Sequence, residues 1–556
     1  MPLRTALLLP AFALLGTGCS FGHATTDADA SPPSSSAGIV AVAASVETAA
    51  ADASAASADA GTASADAGTA ITDAGTADSS DAGAPVEDGP RIGSIGRTTW
   101  IYVSRARKER LGYVRPGTSV RLLGAPPVDP PLKKRQKSLP PLGQCKSGRW
   151  YAVQPRGFVC GDETTTLDLA LPLYRALAFA GPRPGAVPFG YAFSTRAPMY
   201  GKLPTPAEEK RAERRLTRVS ELVRLRRSTA GHEDLAFLDP PAVTDPLPDF
   251  LAENRAAPVP AGQREGLVRK EIPYASMLSF QQVFAFAGRT FLLTPDLTVV
   301  PADRVRLFRP STFHGTPIDE AHPLPLGWLR RDARAKFRRG EGGALADTGE
   351  TWAPRTFVGL TGAKVVQRGV VYRETRDDGL FARDGDLSIV EAPKALPKGA
   401  EPGEKWIEVS LSKGTLTLFE GTTGVYSTLM SPGAGGTTPS AAMHVDELLR
   451  AALTPLGSFR VAIKHRAAQM TSEASPEPDK FWIADVPHAQ YFRTPYAIHA
   501  AYWHEDFGSP KSGGCVNLSL EDAERVFDWT EPVVPEGWGG IIARRSKPGT
   551  MIVIHR

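Results

Sequence analysis

Short strand-like runs fill the chain from about residue 95 onward, and they constrain the fold more than any other feature. The residues in each run alternate or are β-branched and aromatic, and Gly and Pro separate the runs, as in 98–105, 119–124, 149–154 and 157–160. This pattern is typical of β-strands joined by turns. Because domains usually hold about 100–200 residues, the 556 residues predict several folded units. The expected fold class is therefore mainly β and multidomain.

The first 19 residues have the pattern of an export signal. Arg4 precedes an apolar run over 6–16 that is too short to span a bilayer, and small residues lead to Cys19. A cysteine at the cleavage point resembles the lipobox of bacterial lipoproteins, which implies that the Cys19 sulfur carries lipid. Gly16 departs from the Leu, Val or Ile that this family prefers. The alternatives are plain cleavage of the signal or a free cysteine at this position.

Residues 20–90 are predicted to be a disordered tether. Ala, Asp, Ser, Gly and Thr dominate it, and "SADAGTA" occurs at 57–63 and again at 64–70. Such a segment has too little apolar surface to fold. Ser20 after the cysteine resembles the sorting pattern for the outer membrane. The expected protein is an outer-membrane lipoprotein whose tethered body faces the periplasm.

Charge is distributed unevenly along the chain. Residues 24–90 hold eleven acidic residues and no Lys or Arg, whereas 91–556 hold 63 basic and 49 acidic residues, a net charge of +14. A basic body favours an anionic partner such as nucleic acid, an acidic membrane surface or a wall polymer. A solvated surface with a basic bias is the simpler alternative.

The chain contains four cysteines, and each is predicted to have a separate role. In an oxidising compartment disulfides persist. Cys145 and Cys160 bound the stretch "CKSGRWYAVQPRGFVC", whose spacing suits two neighbouring strands joined by a turn, so we predict a disulfide. Cys515 is then the odd thiol, which in this compartment is a liability unless it has a chemical function.

Cys515 lies in the turn "SGGC" (512–515), downstream of His499. A histidine can take the thiol proton and leave a nucleophilic thiolate. Gly513 and Gly514 would let backbone N–H groups point at one spot, so the amides of Gly514 and Cys515 could form an oxyanion hole. Each such donor contributes on the order of 3 kcal/mol in well-studied hydrolases. Together these groups predict an acyl-transfer site.

Three ordered motifs carry a resemblance to a known family. "TPLGSFRV" (454–461), "YAIHAAYWHEDFG" (496–508) and "SGGCVNLSLEDAERVFDW" (512–529) together resemble the bacterial L,D-transpeptidases with a YkuD-like catalytic domain. The resemblance covers about 405–556. It implies a β-sandwich domain with one helix after the cysteine turn. It also implies functions for the motif residues, namely Cys515 as nucleophile, His499 as general base, and Ser512, Gly514 and Asn517 as the remaining positions of the cysteine motif.

The resemblance implies an activity on peptidoglycan. Cys515 would attack the carbonyl between diaminopimelate and D-Ala in a tetrapeptide stem, and the thioester would pass to an amine of another stem, a protein lysine or a D-amino acid. Transfer to water would make the protein an L,D-carboxypeptidase. The carbonyl of Ala500 is expected to orient His499. No cofactor, metal or nucleic acid is implied, and the oligomeric state stays open.

Further residues are expected to line the acyl-donor groove, with core packing as the alternative for the aromatic ones and Met470. These candidates are Tyr496, Trp503, His504, Asn517 and Met470. His504 could instead only position its own loop. His504, Glu505 and Asp506 do not predict a metal site, because three consecutive ligands give poor coordination geometry.

Gly513 stands where the family usually has His. This departure keeps open a catalytically degenerate, peptidoglycan-binding structural lipoprotein. A thiol redox protein is a third hypothesis, but Cys515 has no CxxC partner.

The remaining segments are predicted to be accessory β modules. Residues 95–165 resemble a small SH3-like barrel, and an unspecified all-β module is the alternative. Residues 166–400 are expected to be β-rich, with a surface helix over 205–227 that starts at the capping box of Thr205 and Glu208. No chemistry is assigned to this region.

Overall fold

The computed structural model describes the chain from residue 89 to residue 556 with several gaps. The gaps are 106–108, 125–144, 146–148, 195, 217–241, 255–256, 260–264, 273–275, 437–438, 440–442 and 472–481. The predictions for the signal, for Cys19 and for nearly all of the tether therefore lie outside the described residues. Within the described part, every helix is too short or too polar to cross a membrane.

The described chain is mainly β and is built from several sheets, which confirms the expected fold class. Its first portion contains seven short strands. They are β1 (Arg91–Ser94), β2 (Thr99–Tyr102), β3 (Arg110–Val114), β4 (Ser119–Arg121), β5 (Trp150–Ala152), β6 (Phe158–Cys160) and β7 (Thr165–Thr166). The SH3-like description of this portion stays a prediction.

The disulfide between Cys145 and Cys160 is confirmed, with an S–S distance of 2.04 Å. The expected hairpin also forms, because β5 pairs with β6 and Trp150 lies opposite Cys160. Cys145 itself lies five residues before Trp150, outside both strands. The bond therefore ties the segment that enters the hairpin to the end of its second strand.

The described residues of the second portion form two helices, eight strands and two 3₁₀ turns. They are α1 (Pro172–Phe179), β8 (Gly190–Ser194), β9 (Pro198–Tyr200), α2 (Pro206–Ala212), the 3₁₀ turn Asp249–Asn254, β10 (Val268–Glu271), β11 (Met277–Phe280), β12 (Gln282–Phe286), β13 (Arg289–Leu293), β14 (Val299–Pro301), the 3₁₀ turn Ala302–Arg304 and β15 (Val305–Phe308). Five of the strands form a sheet in the order β10-β9-β14-β13-β12.

Helix α2 begins with the predicted capping box between Thr205 and Glu208. The expectation of one continuous helix through residue 227 is wrong, because the helix ends at Ala212 and 213–216 form a turn. The reason lies in Glu213, whose carboxylate accepts hydrogen bonds from Arg289 at 2.9 Å and from the hydroxyl of Tyr200 at 2.8 Å. These contacts hold the chain against the five-stranded sheet.

The third portion is a seven-stranded sheet preceded by a short edge strand. The elements are β16 (Thr316–Pro317), β17 (Leu326–Leu329), β18 (Arg334–Arg339), β19 (Leu345–Trp352), β20 (Phe357–Gln367), β21 (Val370–Thr375), β22 (Leu380–Arg383), the 3₁₀ turn Asp384–Asp386 and β23 (Leu387–Val390). The sheet order is β19-β18-β22-β21-β20-β17-β23.

In the C-terminal portion, the residues that the structure describes form ten strands and two helices. They are β24 (Lys405–Ser410), β25 (Thr415–Glu420), β26 (Thr423–Leu429), α3 (Val445–Arg450), β27 (Gly457–Arg460), β28 (Ile463–Thr471), β29 (Trp482–Arg493), β30 (Tyr496–Ala500), β31 (Val516–Leu518), α4 (Leu520–Trp529), β32 (Gly540–Ile542) and β33 (Met551–His555). The predicted hairpin is β24–β25, and the predicted helix after the cysteine turn is α4.

Two sheets of this portion share one core. One sheet has the order β16-β26-β25-β24-β33-β27, and the other contains β28, β29, β30, β31 and β32. Ile407 and Leu418 of the first sheet lie in the same buried cluster as Val486, Ile498 and Val516 of the second. The structure is therefore a sandwich, as the resemblance implied, and the cysteine turn leads directly into its core.

The second sheet extends beyond the sandwich into the earlier portions of the chain. Strand β32 pairs with β3, and β29 pairs in parallel with β11. At this junction Arg115 forms an ion pair with Asp485 at 2.6 Å, and the hydroxyl of Ser279 donates to the same carboxylate. Three distant stretches of sequence thus share one continuous sheet.

Helix α4 is anchored by one buried carboxylate. Asp522 is fully buried, and its oxygens accept hydrogen bonds from the hydroxyls of Thr428 at 2.6 Å and Tyr426 at 2.7 Å. They also accept from the helix N-cap Ser519 at 2.7 Å and from the amide of Gly315 at 2.8 Å. Burial raises the pKa of Asp522, and these donors oppose the rise. The helix that follows the cysteine turn is fixed to β26 through this group.

Asp522→Asn is expected to lower the free energy of unfolding by about 2–4 kcal/mol, because the amide replaces an acceptor by a donor that faces other donors. Urea unfolding of the variant and of the parent protein measures this difference. Glu521→Gln, at the exposed neighbouring position, is the matched control and should change the midpoint little. Equal midpoints for the two variants would show that Asp522 is not the anchor.

Candidate active site

The cysteine turn is held by backbone hydrogen bonds to the loop after β26. The amides of Lys511 and Ser512 donate to the carbonyl of Pro432 at 2.8 and 3.0 Å. Asn517 and Ser431 exchange a pair of backbone hydrogen bonds, each of 2.9 Å. Backbone hydrogen bonds therefore hold the chain on both sides of Cys515, which lies directly before β31.

Gly514 is required by the geometry of the turn. Its φ is +127°, and an added Cβ atom would lie 2.6 Å from Cε1 of Tyr496 and 3.0 Å from the carbonyl oxygen of Leu453. Any side chain at this position would meet both the ring and the backbone. The backbone conformation and the close packing at this position therefore both require glycine.

The expected oxyanion hole is not formed as the sequence suggested. The amide of Gly514 donates to the hydroxyl oxygen of Ser512 at 3.0 Å, and this hydroxyl donates to the carbonyl of Cys515 at 2.5 Å. The Gly514 amide thus forms a hydrogen bond within the turn, and together with the Ser512 hydroxyl it stabilises the turn. An oxyanion donor would have to come from elsewhere, with the Cys515 amide as the remaining member of the predicted pair.

Parallel pairing of β30 with β31 places the base candidate opposite the strand that follows Cys515. The register aligns Ile498 with Val516 and His499 with Asn517. Because residues that face each other across paired strands project their side chains to the same face, Asn517 and His499 share one face of the sheet. Cys515 precedes β31 by one residue and Asn517 by two.

His499 is a fully buried imidazole with both ring nitrogens hydrogen-bonded. Its Nδ1 lies 2.9 Å from the carbonyl oxygen of Ala500, and its Nε2 lies 3.1 Å from Nδ2 of Asn517. Burial lowers the pKa of His499 to about 4, although the Ala500 carbonyl acts in the opposite direction. The ring is therefore neutral at pH 7. The contact with Ala500 has the geometry that the sequence analysis expected for orienting the base.

Cys515 is outside any disulfide and is 8% exposed. Its Sγ lies 3.9 Å from the carbonyl oxygen of Pro495, the residue before β30. The sulfur therefore lies at the β30 edge of the turn, with a small accessible area.

His504 is joined to His499 through Asn517. Its Nε2 lies 3.1 Å from Oδ1 of Asn517, and its Nδ1 accepts a hydrogen bond from the amide of Asp506 at 3.2 Å. Asn517 is 1% exposed and His504 is 2% exposed. Both were expected to line a substrate groove, and the structure places both inside a buried hydrogen-bond network.

The other groove candidates pack in the core. Tyr496 and Trp503 are buried. Met470, on β28 and opposite Ile483 of β29, is 8% exposed. The Trp503 ring centre lies 5.9 Å from that of His499. The core-packing alternative describes where these three side chains lie.

Glu505 is a buried site residue that sequence reasoning did not assign. Its carboxylate accepts a hydrogen bond from Ser311 at 2.6 Å and lies 3.4 Å from Arg355 and 3.6 Å from Arg309. The three partners come from the accessory region 166–400, to which the sequence analysis assigned no chemistry. An acidic residue inside an aromatic stretch was the only visible signal. Among the described residues, no group of three or more His, Cys, Asp and Glu is arranged to hold a metal ion.

Comparison with solved structures found L,D-transpeptidases at low sequence identity. One from Enterococcus faecium is 17% identical, with 27% of this chain and 50% of that chain covered and a TM-score of 0.19. One from Xylanimonas cellulosilytica is 22% identical (30% and 64% covered, TM-score 0.20), and one from Mycobacterium smegmatis is 17% identical (45% and 90% covered, TM-score 0.20). The chain thus spans half of the first of these proteins and 64% of the second.

No match was found among curated proteins. The family model for YkuD, the L,D-transpeptidase catalytic domain, matches residues 404–554. These bounds agree with the segment 405–556 that the sequence motifs indicated. They enclose the cysteine turn, helix α4 and the sandwich, apart from the edge strand β16 and the last residue of β33. Residues 404–554 are therefore a YkuD L,D-transpeptidase catalytic domain.

Proposed function

We propose that the protein is a cysteine-dependent L,D-transpeptidase that acts on peptidoglycan stem peptides. The observation that carries the proposal is the buried, neutral imidazole of His499, which the β30–β31 register aligns with Asn517, two residues after Cys515. The motif that provides both groups lies within the matched domain. The basic charge of the body suits an anionic wall polymer.

In the proposed reaction, the thiol proton passes to Nε2 of His499 while the sulfur attacks the stem carbonyl that precedes D-Ala. The tetrahedral intermediate collapses when His499 returns the proton to the amine of D-Ala, which leaves a thioester on Cys515. An acceptor amine then attacks the thioester and restores the thiol. The Ala500 carbonyl keeps Nδ1–H in place, so that Nε2 is the nitrogen that exchanges the proton.

A second candidate is a catalytically degenerate domain that binds peptidoglycan without turnover. Two observations favour it. Gly513 replaces the family's usual His, and Nε2 of His499 is hydrogen-bonded to Asn517. In this case the turn would be a binding surface only.

Incubation with a tetrapeptide muropeptide should release D-Ala and leave an acyl adduct on Cys515, both measured by mass spectrometry. Cys515→Ala should remove both signals. His499→Gln should slow release by roughly 100- to 10,000-fold, the usual contribution of a general base. His314→Gln, an exposed histidine outside the matched domain, is the control and should leave the rate unchanged.

The product identifies the acceptor. A cross-linked dimer indicates transpeptidation, and a tripeptide formed with water indicates L,D-carboxypeptidase activity. Binding to sacculi without any D-Ala release, unaffected by Cys515→Ala, would instead support the degenerate domain and contradict the enzyme.

The activity should persist to unusually acidic pH. Because burial lowers the pKa of His499 to about 4, the base stays neutral from pH 7 down to that value, whereas an ordinary imidazole would be half protonated near 6.5. The acid limb of kcat/KM for D-Ala release should therefore have a midpoint near 4. An acid limb near 6.5, in protein whose near-ultraviolet circular dichroism is unchanged over this range, would contradict the assignment of His499.

We further propose that Cys19 is lipidated and anchors the protein in the outer membrane, facing the periplasm. The support is the signal-like pattern before Cys19 and the composition of 20–90. Cells fed radiolabelled palmitate should label the parent protein and Cys515→Ala equally, and Cys19→Ala should lose the label. Labelling of Cys19→Ala would contradict the anchor.

A further inference from the structure

Four hydrogen bonds connect a backbone amide of the loop after β30 with the backbone carbonyl that holds the proposed base. The amide of Asp506 donates to Nδ1 of His504 at 3.2 Å, and Nε2 of His504 lies 3.1 Å from Oδ1 of Asn517. Nδ2 of Asn517 lies 3.1 Å from Nε2 of His499, and Nδ1 of His499 lies 2.9 Å from the oxygen of Ala500. Three side chains thus bridge two fixed backbone groups.

The two ends determine the direction of every bond between them. A backbone amide can only donate, and a backbone carbonyl can only accept. His504 must therefore carry its proton on Nε2 and donate to Asn517. The Asn517 amide donates to Nε2 of His499, and His499 carries its proton on Nδ1, facing Ala500. All four bonds are satisfied only when both imidazoles are neutral.

We infer that His504 is a positioning residue that acts through Asn517 to hold His499 as a neutral base and Cys515 as a thiol until substrate binds. Its catalytic meaning rests on the proposed function. The reason is the fixed direction of the chain, because a protonated His499 would point Nε2–H at the Nδ2–H₂ group of Asn517. Rotating the Asn517 amide would relieve this contact only by turning Nδ2–H₂ toward Nε2–H of His504.

The contact between two facing donors cannot be relieved by His504, the next member of the hydrogen-bond chain. His504 would have to move its proton to Nδ1, where it would meet the amide of Asp506. His499, Asn517 and His504 are at most 2% exposed, so water cannot replace a lost partner. The lowered pKa of His499, which burial produces, is consistent with the neutral state.

The loop that carries His504 is held from outside the matched domain. Glu505 accepts a hydrogen bond from Ser311 at 2.6 Å, and the ring of Phe507 stacks on that of Phe313 at 5.5 Å. These contacts fix the Asp506 amide that starts the chain. The accessory region therefore helps to hold the backbone group at the start of the hydrogen-bond chain.

The charged groups around the chain are themselves paired. The carboxylate of Asp506 lies 2.7 Å from Nζ of Lys511, and that of Glu505 lies 3.4 Å from Arg355. Along the hydrogen-bond chain, the titratable side chain beyond Asn517 is His504. Cys515 lies two residues before Asn517, which is aligned with His499 across β30 and β31. A change in the ionisation of the Cys515 thiol after substitution of His504 would therefore indicate that the hydrogen-bond chain controls it.

Keeping the thiol protonated suits an exported protein. Oxidation proceeds through the thiolate, so a cysteine that is protonated at rest is protected in an oxidising compartment. Its proton would leave only when a bound stem displaces the contact between Asn517 and His499.

The pH dependence of Cys515 alkylation by iodoacetamide, followed by peptide mass spectrometry on the full chain, tests the inference. The parent protein should show a midpoint at or above the value of about 8.5 of an ordinary thiol. His504→Leu removes the donor to Asn517, so the amide can turn its oxygen toward His499 and stabilise the imidazolium. The midpoint should fall by roughly one pH unit.

His504→Gln is the matched variant, because its side-chain amide can replace the Nε2–H donor without titrating. It should keep the parent midpoint. Asn517→Asp gives a second and independent variant, since a carboxylate can only accept from Nε2–H of His499 and should lower the midpoint with His504 intact. Unchanged midpoints in His504→Leu and Asn517→Asp, or equal shifts in His504→Leu and His504→Gln, would overturn the inference.

This test uses no substrate, so its failure differs from failure of the proposed function. Release of D-Ala by the parent protein with an unchanged alkylation midpoint in His504→Leu overturns the role of His504 and leaves the enzyme intact. The expected midpoints without any D-Ala release support the hydrogen-bond chain and contradict the transpeptidase.

Discussion

The parallel pairing of β30 with β31 is the constraint on which the site depends. It aligns His499 with Asn517, which lies two residues after Cys515. Neither strand is held by this pair alone. β30 also pairs with β29, and β31 leads into helix α4, which Asp522 fixes to β26. The position of the thiol is therefore set by the sandwich core rather than by the glycine turn itself.

The accessory portions are structurally continuous with the catalytic domain. Strand β3 and strand β11 extend the sheet that contains β28 and β29, and the ion pair of Arg115 with Asp485 closes the junction. Separately, Ser311 of the accessory region donates a hydrogen bond to Glu505, which lies in the loop that carries His504. Portions to which the sequence assigned no chemistry thus support the backbone that orients His504 and His499.

Much of the fold and of the site was predictable because the signals were local. Strand alternation gave the β24–β25 hairpin, the Ser519 cap gave α4, and the cysteine motifs gave the disulfide and Cys515. The end of helix α2 could not be predicted, because the carboxylate of Glu213 accepts a hydrogen bond from Arg289, a residue distant in sequence. The partner of the Gly514 amide and the burial of His504 also depend on tertiary packing, which motif spacing does not reveal.

The protonation of His499 tests the central claim most directly. In protein labelled with ¹⁵N-histidine, long-range ¹⁵N–¹H correlation spectra at pH 7 distinguish the two neutral tautomers from the imidazolium. A neutral His499 with its proton on Nδ1 and a bare Nε2 is the expected result. A proton on Nε2, alone or together with one on Nδ1, would contradict the account, because this nitrogen could then not accept the thiol proton.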